Sequence, residues 1–217
     1  MLIYAYKRNR YSLLVRQKLR SAHVSFYHAY FLHADLTELP NLDTDLEVRI
    51  IEEYNELPEI TEKKRASPIT AASQGTLAFG AFHDNECIGF ICVNLNTAYI
   101  QEIRKVKTFD GVYLWFGHVT EKYRRHGVGT ALVNKTLHIL SEQYAVVRAY
   151  GFVETDNVPS LRMIGHSGFQ PYERVFALGL GRFFMCKEQP LTKKEPQKTP
   201  ALLPSLQRRE VDSDAVY

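Results

Sequence analysis

The chain of 217 residues predicts a three-layer α/β (α+β) fold, in which helices flank a β-sheet. Apolar runs of strand length, separated by turn residues, recur between residues 46 and 119. Two segments with helical spacing of apolar residues follow, and further strand-like runs lie between and after them. This length fits one domain with extensions, or at most two small domains.

The two ends of the chain differ in composition from its middle. Residues 1–42 are predicted to form an N-terminal extension, with a short basic helix over 11–19 and a strand in the aromatic-rich segment 24–36. The predicted main domain then spans residues 43–187. The last segment, residues 188–217, holds four prolines and many charges without any periodicity, so we predict a disordered tail.

The first half of the core predicts strands. Residues 46–53, 76–83 and 87–95 have strand-like patterns, and the turn residues DNE at 84–86 join the last two in a hairpin. Residues 98–110 lack a clear period and are predicted to be a mixed connection. Four charged side chains of this connection are expected in solvent, namely Glu102, Arg104, Lys105 and Lys107.

The second half alternates strands and helices. An apolar run over residues 112–119 predicts the central strand, and residues 127–144 have the apolar spacing of an amphipathic helix. A strand over 146–154 and a short helix over 157–166 follow. Strands over residues 169–187 then close the sheet.

Composition argues against several classes of function. The net charge is +3 and the basic residues are scattered, which is not the dense basic patch of a nucleic-acid binder. No apolar run reaches the length of a membrane span or a signal-peptide core, so we expect a cytoplasmic protein without a membrane partner. Cys87, Cys92 and Cys186 lack the spacing of a zinc site or a disulfide framework, and we expect buried free thiols and no metal.

A basic glycine loop, RRHGVG at residues 124–129, stands between the central strand and the long helix. The first N–H groups of a helix have no partner within it and carry partial positive charge, so phosphate binds there. Gly127 and Gly129 are expected to let the backbone approach the ligand. A Walker loop is excluded because no Gly-Lys-Ser/Thr occurs, and a dinucleotide loop is excluded because its third glycine position is Leu132.

A second motif follows the glycine loop along the chain. The pattern [QR]-x-x-G-x-[GA] that remains at the loop, together with NVPSLRMIGHSGF at residues 157–169, resembles the GNAT superfamily of N-acyltransferases. The resemblance covers about residues 46–186. Asp156 or Asn157 can cap the short helix, and Pro159 suits its first turn.

The resemblance implies the acyl-CoA N-acyltransferase fold, a mixed and mostly antiparallel sheet with splayed central strands. The pantetheine arm of acetyl-CoA, the implied co-substrate, would enter between the strands over 112–119 and 146–154. Backbone amides of the glycine loop would hold its pyrophosphate. The implied cofactor-binding residues are Gly117, Val119, Arg124, Arg125, His126, Gly127, Val128, Gly129, Thr130, Asn157 and Ser160.

Two departures from the family pattern concern proton transfer. Many members have a tyrosine that protonates the thiolate where this chain has Ile164, and some have a glutamate base where it has Phe152. The attacking amine still needs a base, because a typical amine is mostly protonated at pH 7. The candidate bases are His118, Glu121 and Glu154. Tyr113 and Trp115 are candidates for the acceptor pocket.

These observations predict an N-acetyltransferase that transfers the acetyl group by direct attack in a ternary complex, as a monomer or homodimer. The acceptor is a primary amine of an amino sugar, an amino acid, a polyamine or a peptide. The Val119 N–H is the expected donor to the oxyanion. The main alternative is a GNAT-like protein that binds CoA without turnover. A nucleic-acid binder that uses the basic extension is a third, weaker hypothesis.

Overall fold

The computed structural model describes residues 24–39, 45–52, 76–180 and 182–191. Within them the chain forms eight strands and two α-helices. The strands are β1 (Val24–Asp35), β2 (Glu47–Ile50), β3 (Thr76–His83), β4 (Glu86–Ile100), β5 (Lys105–Val119), β6 (Arg148–Glu154), β7 (Gln170–Leu180) and β8 (Phe183–Pro190), and the helices are α1 (Val128–Tyr144) and α2 (Val158–His166).

All eight strands belong to one sheet, in the order β2-β3-β4-β5-β6-β1-β7-β8. Every neighbouring pair is antiparallel except β5 and β6, which are parallel. The predicted α/β fold with a mixed, mostly antiparallel sheet is confirmed. No helix within the described ranges is long and apolar enough to cross a membrane.

The sheet has two different faces. We call the side that packs on α1 the helix face, and its buried core includes Phe79, Val93, Leu114, Leu132 and Leu137. We call the opposite side the hairpin face, because the end of the β4–β5 hairpin covers it. Its core includes Phe31, Ile103, Tyr113, Val175 and Ala177.

The N-terminal strand β1 lies inside the sheet and not beside it. It pairs with β6 on one side and with β7 on the other. Ala29 and Phe31 are fully buried, because both edges of the strand are paired and both faces are covered. The strand predicted for the extension therefore forms, and it shares one core with residues that follow it by more than a hundred positions. At the other end, the predicted boundary of the disordered tail at residue 188 is wrong, because β8 reaches Pro190 and its residues 188–190 pair with β7.

Two predicted segments lie outside the described residues: the basic helix over 11–19, and all but the first four residues of the tail predicted over 188–217. Within the described chain, the β3–β4 hairpin forms as predicted. Its two turn residues, Asp84 and Asn85, have φ values of 51° and 63°. Left-handed backbone at both positions is typical of the type I′ turn that joins tightly paired strands.

The prediction for residues 98–110 is wrong. β4 runs to Ile100 and β5 begins at Lys105, so a four-residue turn joins two long strands. The turn residue Ile103 is fully buried on the hairpin face. Exposed Tyr99 and Val106 made the pattern look irregular, because only one side of the hairpin meets the core.

Two lysines of this hairpin were predicted to lie in solvent. Lys105 is exposed and Lys107 is half-buried, and both form ion pairs. Lys105 Nζ lies 2.6 Å from Glu188, and Lys107 Nζ lies 2.8 Å from Glu173. Lys107 also pairs with Glu188, and its Nζ stands 4.2 Å from the ring centre of Phe31. These contacts hold the hairpin against β7, β8 and β1.

The ion pairs make stability depend on pH. Burial opposes ionisation of Glu188, but its hydrogen bonds to Lys105 and Lys107 outweigh burial and lower its pKa below the ordinary 4.5. A lowered carboxyl pKa contributes stability that is present above the unfolded value and is lost as pH falls through the folded value. We expect Glu188→Gln to lower the free energy of unfolding at pH 7 by about 2 kcal/mol, between the effects of exposed and buried pairs.

Urea unfolding of the native protein and of Glu188→Gln at pH 7 and pH 3 measures this effect. The difference between their free energies of unfolding should be smaller at pH 3. Glu86→Gln is the matched control, because the Glu86–Lys122 pair is more than half exposed on both sides. A variant difference that does not change with pH would contradict the assigned role of Glu188.

The parallel strands β5 and β6 part soon after they meet. They pair only at Val112–Leu114 and Ala149–Gly151. Beyond this point β5 pairs only with β4, and β6 only with β1. We call the space between residues 115–119 and residues 152–154 the gap. The splayed strands that the resemblance implied are therefore present.

Candidate functional site

A bulge in β5 shapes one side of the gap. Cys92 pairs with Trp115 and Phe90 with His118, so β5 has one extra residue between these pairs. Phe116 takes up the irregularity with a φ of 48°. A bulge bends its strand and redirects the side chains that follow it. As a result Trp115 and His118, three positions apart, both project from the hairpin face.

The backbone of β5 turns hydrogen-bonding groups toward the gap. His118 pairs with Phe90, and the Thr120 N–H donates to the Ile88 carbonyl at 2.8 Å, so these two residues face β4. Successive residues of a strand point their backbone groups in opposite directions. The N–H and C=O groups of Gly117 and Val119 therefore face the gap, where the sequence placed the pantetheine.

The glycine loop leads from β5 into α1. A 3₁₀ turn over Glu121–Tyr123 ends β5, and Arg125 and Gly127 then adopt positive φ values of 69° and 79°. The first hydrogen bond of the helix runs from the Ala131 N–H to the Gly127 carbonyl at 3.0 Å. The helix thus starts where the sequence predicted it.

Six consecutive backbone amides, Arg125 to Thr130, have no acceptor within the described part of the chain. The first turn of α1 also holds no acidic residue. Such a row of amide donors at the positive end of a 17-residue helix is suited to a doubly charged oxyanion group. The exposed side chains of Arg125 and His126 lie at the same loop.

Glycine is required at the two positions of the loop for different physical reasons. A Cβ on Gly127 would meet nothing within 4 Å, so glycine is needed there for the left-handed backbone and leaves the loop open. A Cβ on Gly129 would lie 2.6 Å from Met163 Sδ and 3.7 Å from a methyl group of Val119. The expectation that Gly129 leaves room for a ligand is not what the structure shows, because the space is filled by α2 and β5.

This packing joins the loop to the gap. Since Gly129 contacts both Val119 and Met163, the first turn of α1 sits directly against the end of β5 and against α2. Arg124 strengthens the connection, because its Nε donates to the Val119 carbonyl at 2.9 Å. The predicted phosphate donors and the parted strands are therefore one continuous surface.

The second motif forms the start of α2. The Asn157 Oδ1 accepts from the Ser160 N–H at 3.3 Å, which confirms the predicted cap. Asn157 is exposed at the end of the gap, shortly after β6. Ile164, at the position of the family tyrosine, is buried on the helix face and would touch a Cβ on Gly151.

The three candidate bases are not equivalent in the structure. His118 is half-buried on the hairpin face, with its ring centre 5.9 Å from that of Phe90. Glu154 ends β6 and shares the hairpin face with Phe152, two residues earlier. Glu121 lies in the exposed 3₁₀ turn beyond the end of β5. The structure brings His118 and Glu154 to one face of the gap and leaves Glu121 on the loop.

The aromatic candidates line the same face. Tyr113 is 6% exposed and stacks on Phe109, with ring centres 5.2 Å apart. The Trp115 Nε1 donates to Asn94 Oδ1 at 2.7 Å, and Asn94 also accepts from the Thr76 hydroxyl at 2.8 Å. These bonds fix the indole of Trp115 on the hairpin face beside the gap.

One acidic residue of this face was wrongly predicted to lie in solvent. Glu102, in the turn of the β4–β5 hairpin, is half-buried next to Ile103. Burial raises the pKa of its carboxyl, and the negative charge of Glu154 raises that pKa further. Burial also raises the pKa of Tyr113, with a smaller effect from the charge of Glu102. The signal in the sequence was slight: three apolar residues, Ala98, Ile100 and Ile103, stand among the charged residues of this segment.

Comparison with known proteins agrees with this arrangement. The model of the acetyltransferase (GNAT) family matches residues 36–169, more than half of the chain. An acetyltransferase of the GNAT family from Colwellia psychrerythraea has a similar structure, with a TM-score of 0.51 and 15% identity over 74% of this chain and 59% of that chain. A GCN5-related N-acetyltransferase from Kribbella flavida gives a TM-score of 0.51 and 13% identity over 75% of this chain and 62% of that one.

A glucosamine N-acetyltransferase region of a fungal multi-domain GH3 β-N-acetylglucosaminidase gives a TM-score of 0.53 and 14% identity, over 78% of this chain and 22% of that one. Identities this low show a shared fold only. The chain spans about three fifths of the first two structures. No curated protein matches it. Because the family model covers the glycine loop, both helices and the parting of β5 from β6, the chain belongs to the acetyltransferase (GNAT) family.

Proposed function

We propose that the chain is an N-acetyltransferase that transfers an acetyl group from acetyl-CoA to a primary amine. The observation that carries the proposal is the row of six free amides at the start of α1, packed directly against the parted end of β5. The amides would bind the pyrophosphate, helped by Arg125 and His126. Asn157 and Ser160 would contact the pantetheine or the acyl end from the start of α2.

The pantetheine would lie in the gap and complete the sheet there. The gap-facing N–H and C=O groups of Gly117 are available to an added strand-like ligand. The Val119 carbonyl already accepts from Arg124, but the Val119 N–H also faces the gap. This N–H is the proposed donor to the oxyanion that forms when the amine attacks the thioester carbonyl.

The reaction requires one proton to leave the amine and one to reach the thiolate. We propose Glu154 as the group that receives the proton of the attacking amine, directly or through a water molecule, because it stands at the open end of the gap. His118, on the same face, is the second candidate. The buried Ile164 has no proton to give, so the thiolate of CoA would leave without a side-chain acid and take its proton from water.

A second candidate function is CoA binding without turnover. It is favoured by the two positions where the family's proton-transfer residues are absent, Phe152 and Ile164. Phe152 packs edge-on against Phe31, with ring centres 4.9 Å apart, and has a clear structural role. In this alternative the protein binds CoA at the same loop and gap but catalyses no reaction.

Thiol release from acetyl-CoA distinguishes the two functions. The purified chain would be assayed with amino sugars, amino acids, polyamines and peptides, and calorimetry would measure acetyl-CoA binding in parallel. The proposal expects binding together with amine-dependent thiol release. Binding without release across all four amine classes would support the second candidate, and absence of binding would contradict both.

A further inference from the structure

The N-terminal strand β1 holds the end of β6 through one residue, His28. Its carbonyl accepts a hydrogen bond from the Thr155 N–H at 2.8 Å and another from the Thr155 hydroxyl at 3.1 Å. The same hydroxyl lies 3.0 Å from His28 Nδ1. Thr155 directly follows Glu154, the last residue of β6, so these contacts are made at the open end of the gap.

The two contacts of the Thr155 hydroxyl are compatible with each other. The hydroxyl has one proton, which it donates to the His28 carbonyl. Its oxygen then accepts a hydrogen bond from His28 Nδ1, which carries a proton in this arrangement. Thr155 is therefore bound to both the main chain and the ring of His28.

The core fixes the place of His28 in the sheet. Ala29 and Phe31 are fully buried, and a slip of β1 by one residue would move both to the opposite face. His28 alternates with them and projects from the helix face. There it is opposite Phe176 of β7, and the two rings stack with their centres 4.3 Å apart.

A tight turn connects Thr155 to the second motif. The Asn157 N–H donates to the Glu154 carbonyl at 3.0 Å, which closes a turn over residues 154–157. Asn157 then caps α2 by accepting from the Ser160 N–H. Thr155 thus lies between the proposed base and the residue proposed to contact the pantetheine, and a displacement of Thr155 would move both.

This contact belongs to a part of the chain that the family model does not cover. The match begins at residue 36, whereas β1 spans Val24–Asp35. His28 precedes Thr155 by 127 positions, and the two meet because β1 pairs with β6.

We propose that His28 is a positioning residue for acetyl transfer, which acts through Thr155 to set the places of Glu154 and Asn157. With Thr155 held, Asn157 is directed to the pantetheine and Glu154 to the attacking amine in one fixed arrangement. The N-terminal strand therefore serves the reaction as well as the core. This inference rests on the proposed acetyl transfer.

Calorimetry with CoA and steady-state thiol release test the inference on the full chain, with the best amine of the four classes. Thr155→Val keeps the size of the side chain but loses both hydroxyl contacts. We expect it to weaken CoA binding by about fivefold and to lower kcat by about tenfold. Thr155→Ser keeps the hydroxyl and should stay within about twofold of the native protein. His28→Phe keeps a ring against Phe176 but no Nδ1, and should behave like Thr155→Val.

Two further variants separate positioning from a general loss of stability. Thr37→Val removes a hydroxyl just beyond the other end of β1, where it bonds to Asp35 at 2.9 Å. It is the matched control and should leave CoA affinity and kcat unchanged. The double variant of His28→Phe and Thr155→Val should bind CoA as the weaker single variant does, because both changes break the same contact.

Native CoA affinity and kcat in both Thr155→Val and His28→Phe would overturn the inference and leave the acetyltransferase intact, whatever the change in stability. Effects that add in the double variant, or an equal loss in Thr155→Ser, would overturn it as well. If His28→Phe does not fold, the comparison of valine with serine at position 155 decides.

The native protein itself shows whether the proposed function fails. If it binds CoA but releases no thiol, acetyl transfer is rejected, and the CoA affinities of the variants decide whether His28 positions Asn157. If it does not bind CoA, the proposed function and the inference are both rejected.

Discussion

Replacing Gly127 by glutamate is expected to weaken acetyl-CoA binding by at least about a hundredfold, because it juxtaposes like charges at a cost of several kcal/mol. Gly127 caps α1 with a left-handed φ of 79°, and its Cβ position faces open space. A side chain there would project to where the free amides of residues 125–130 point. Its carboxylate would compete for these donors and repel the pyrophosphate. Isothermal calorimetry with acetyl-CoA measures the effect.

Two further variants separate charge from backbone strain. Gly127→Ala keeps the site neutral but holds an L-residue in the left-handed region, which costs about 1 kcal/mol of stability. It should reduce acetyl-CoA affinity by less than about tenfold. Gly165→Glu adds the same charge at an exposed position of α2 with no atom within 4 Å of the new Cβ, and should bind normally. Unchanged acetyl-CoA affinity in a folded Gly127→Glu protein would contradict the proposal that this loop binds the pyrophosphate.

Glu154→Gln is expected to lower kcat by about a hundredfold or more, the usual contribution of a general base. Glutamine keeps the size of the side chain and its place at the end of β6, but it cannot accept the proton of the amine. The affinity for acetyl-CoA should not change, because the phosphate donors lie on the loop before α1. Stopped-flow or steady-state thiol release, with calorimetry alongside, separates the two quantities.

The matched comparison is His118→Gln, on the other side of the gap. A large loss of kcat in His118→Gln with little loss in Glu154→Gln would assign the base to the histidine. Loss in neither variant would leave water as the proton acceptor and contradict the role given to Glu154. Parallel losses in both would indicate that the two residues act on one proton.

Local rules predicted much of the functional surface. The glycine loop, the start of α1, the Asn157 cap of α2 and the Asp84–Asn85 turn each follow from residues within one turn of each other. Their geometry is decided by backbone sterics and by hydrogen bonds a few residues away. Such features can be predicted from the sequence because the residues that determine them are close together along the chain.

The hairpin face could not be predicted from neighbouring residues in this way. Residues 98–110 seemed to be a polar connection, because Lys105 and Lys107 look like solvent-exposed charges until Glu173 and Glu188 are placed beside them. Those partners lie more than sixty residues away along the chain. The sequence named His118 only as a candidate base, and the bulge at Phe116 decided from which face of the sheet it projects.

The amino-acid sequence alone predicted a basic glycine loop before a long helix, a second capped helix that starts thirty residues after the first, and the GNAT family with its fold. Only the tertiary structure decided that β1 pairs between β6 and β7, that Gly129 serves the packing of Met163, and that Glu102 reaches the hairpin face near Glu154. The physical reason is range. Capping and turn energies act between neighbours in sequence, whereas burial and charge act between neighbours in space.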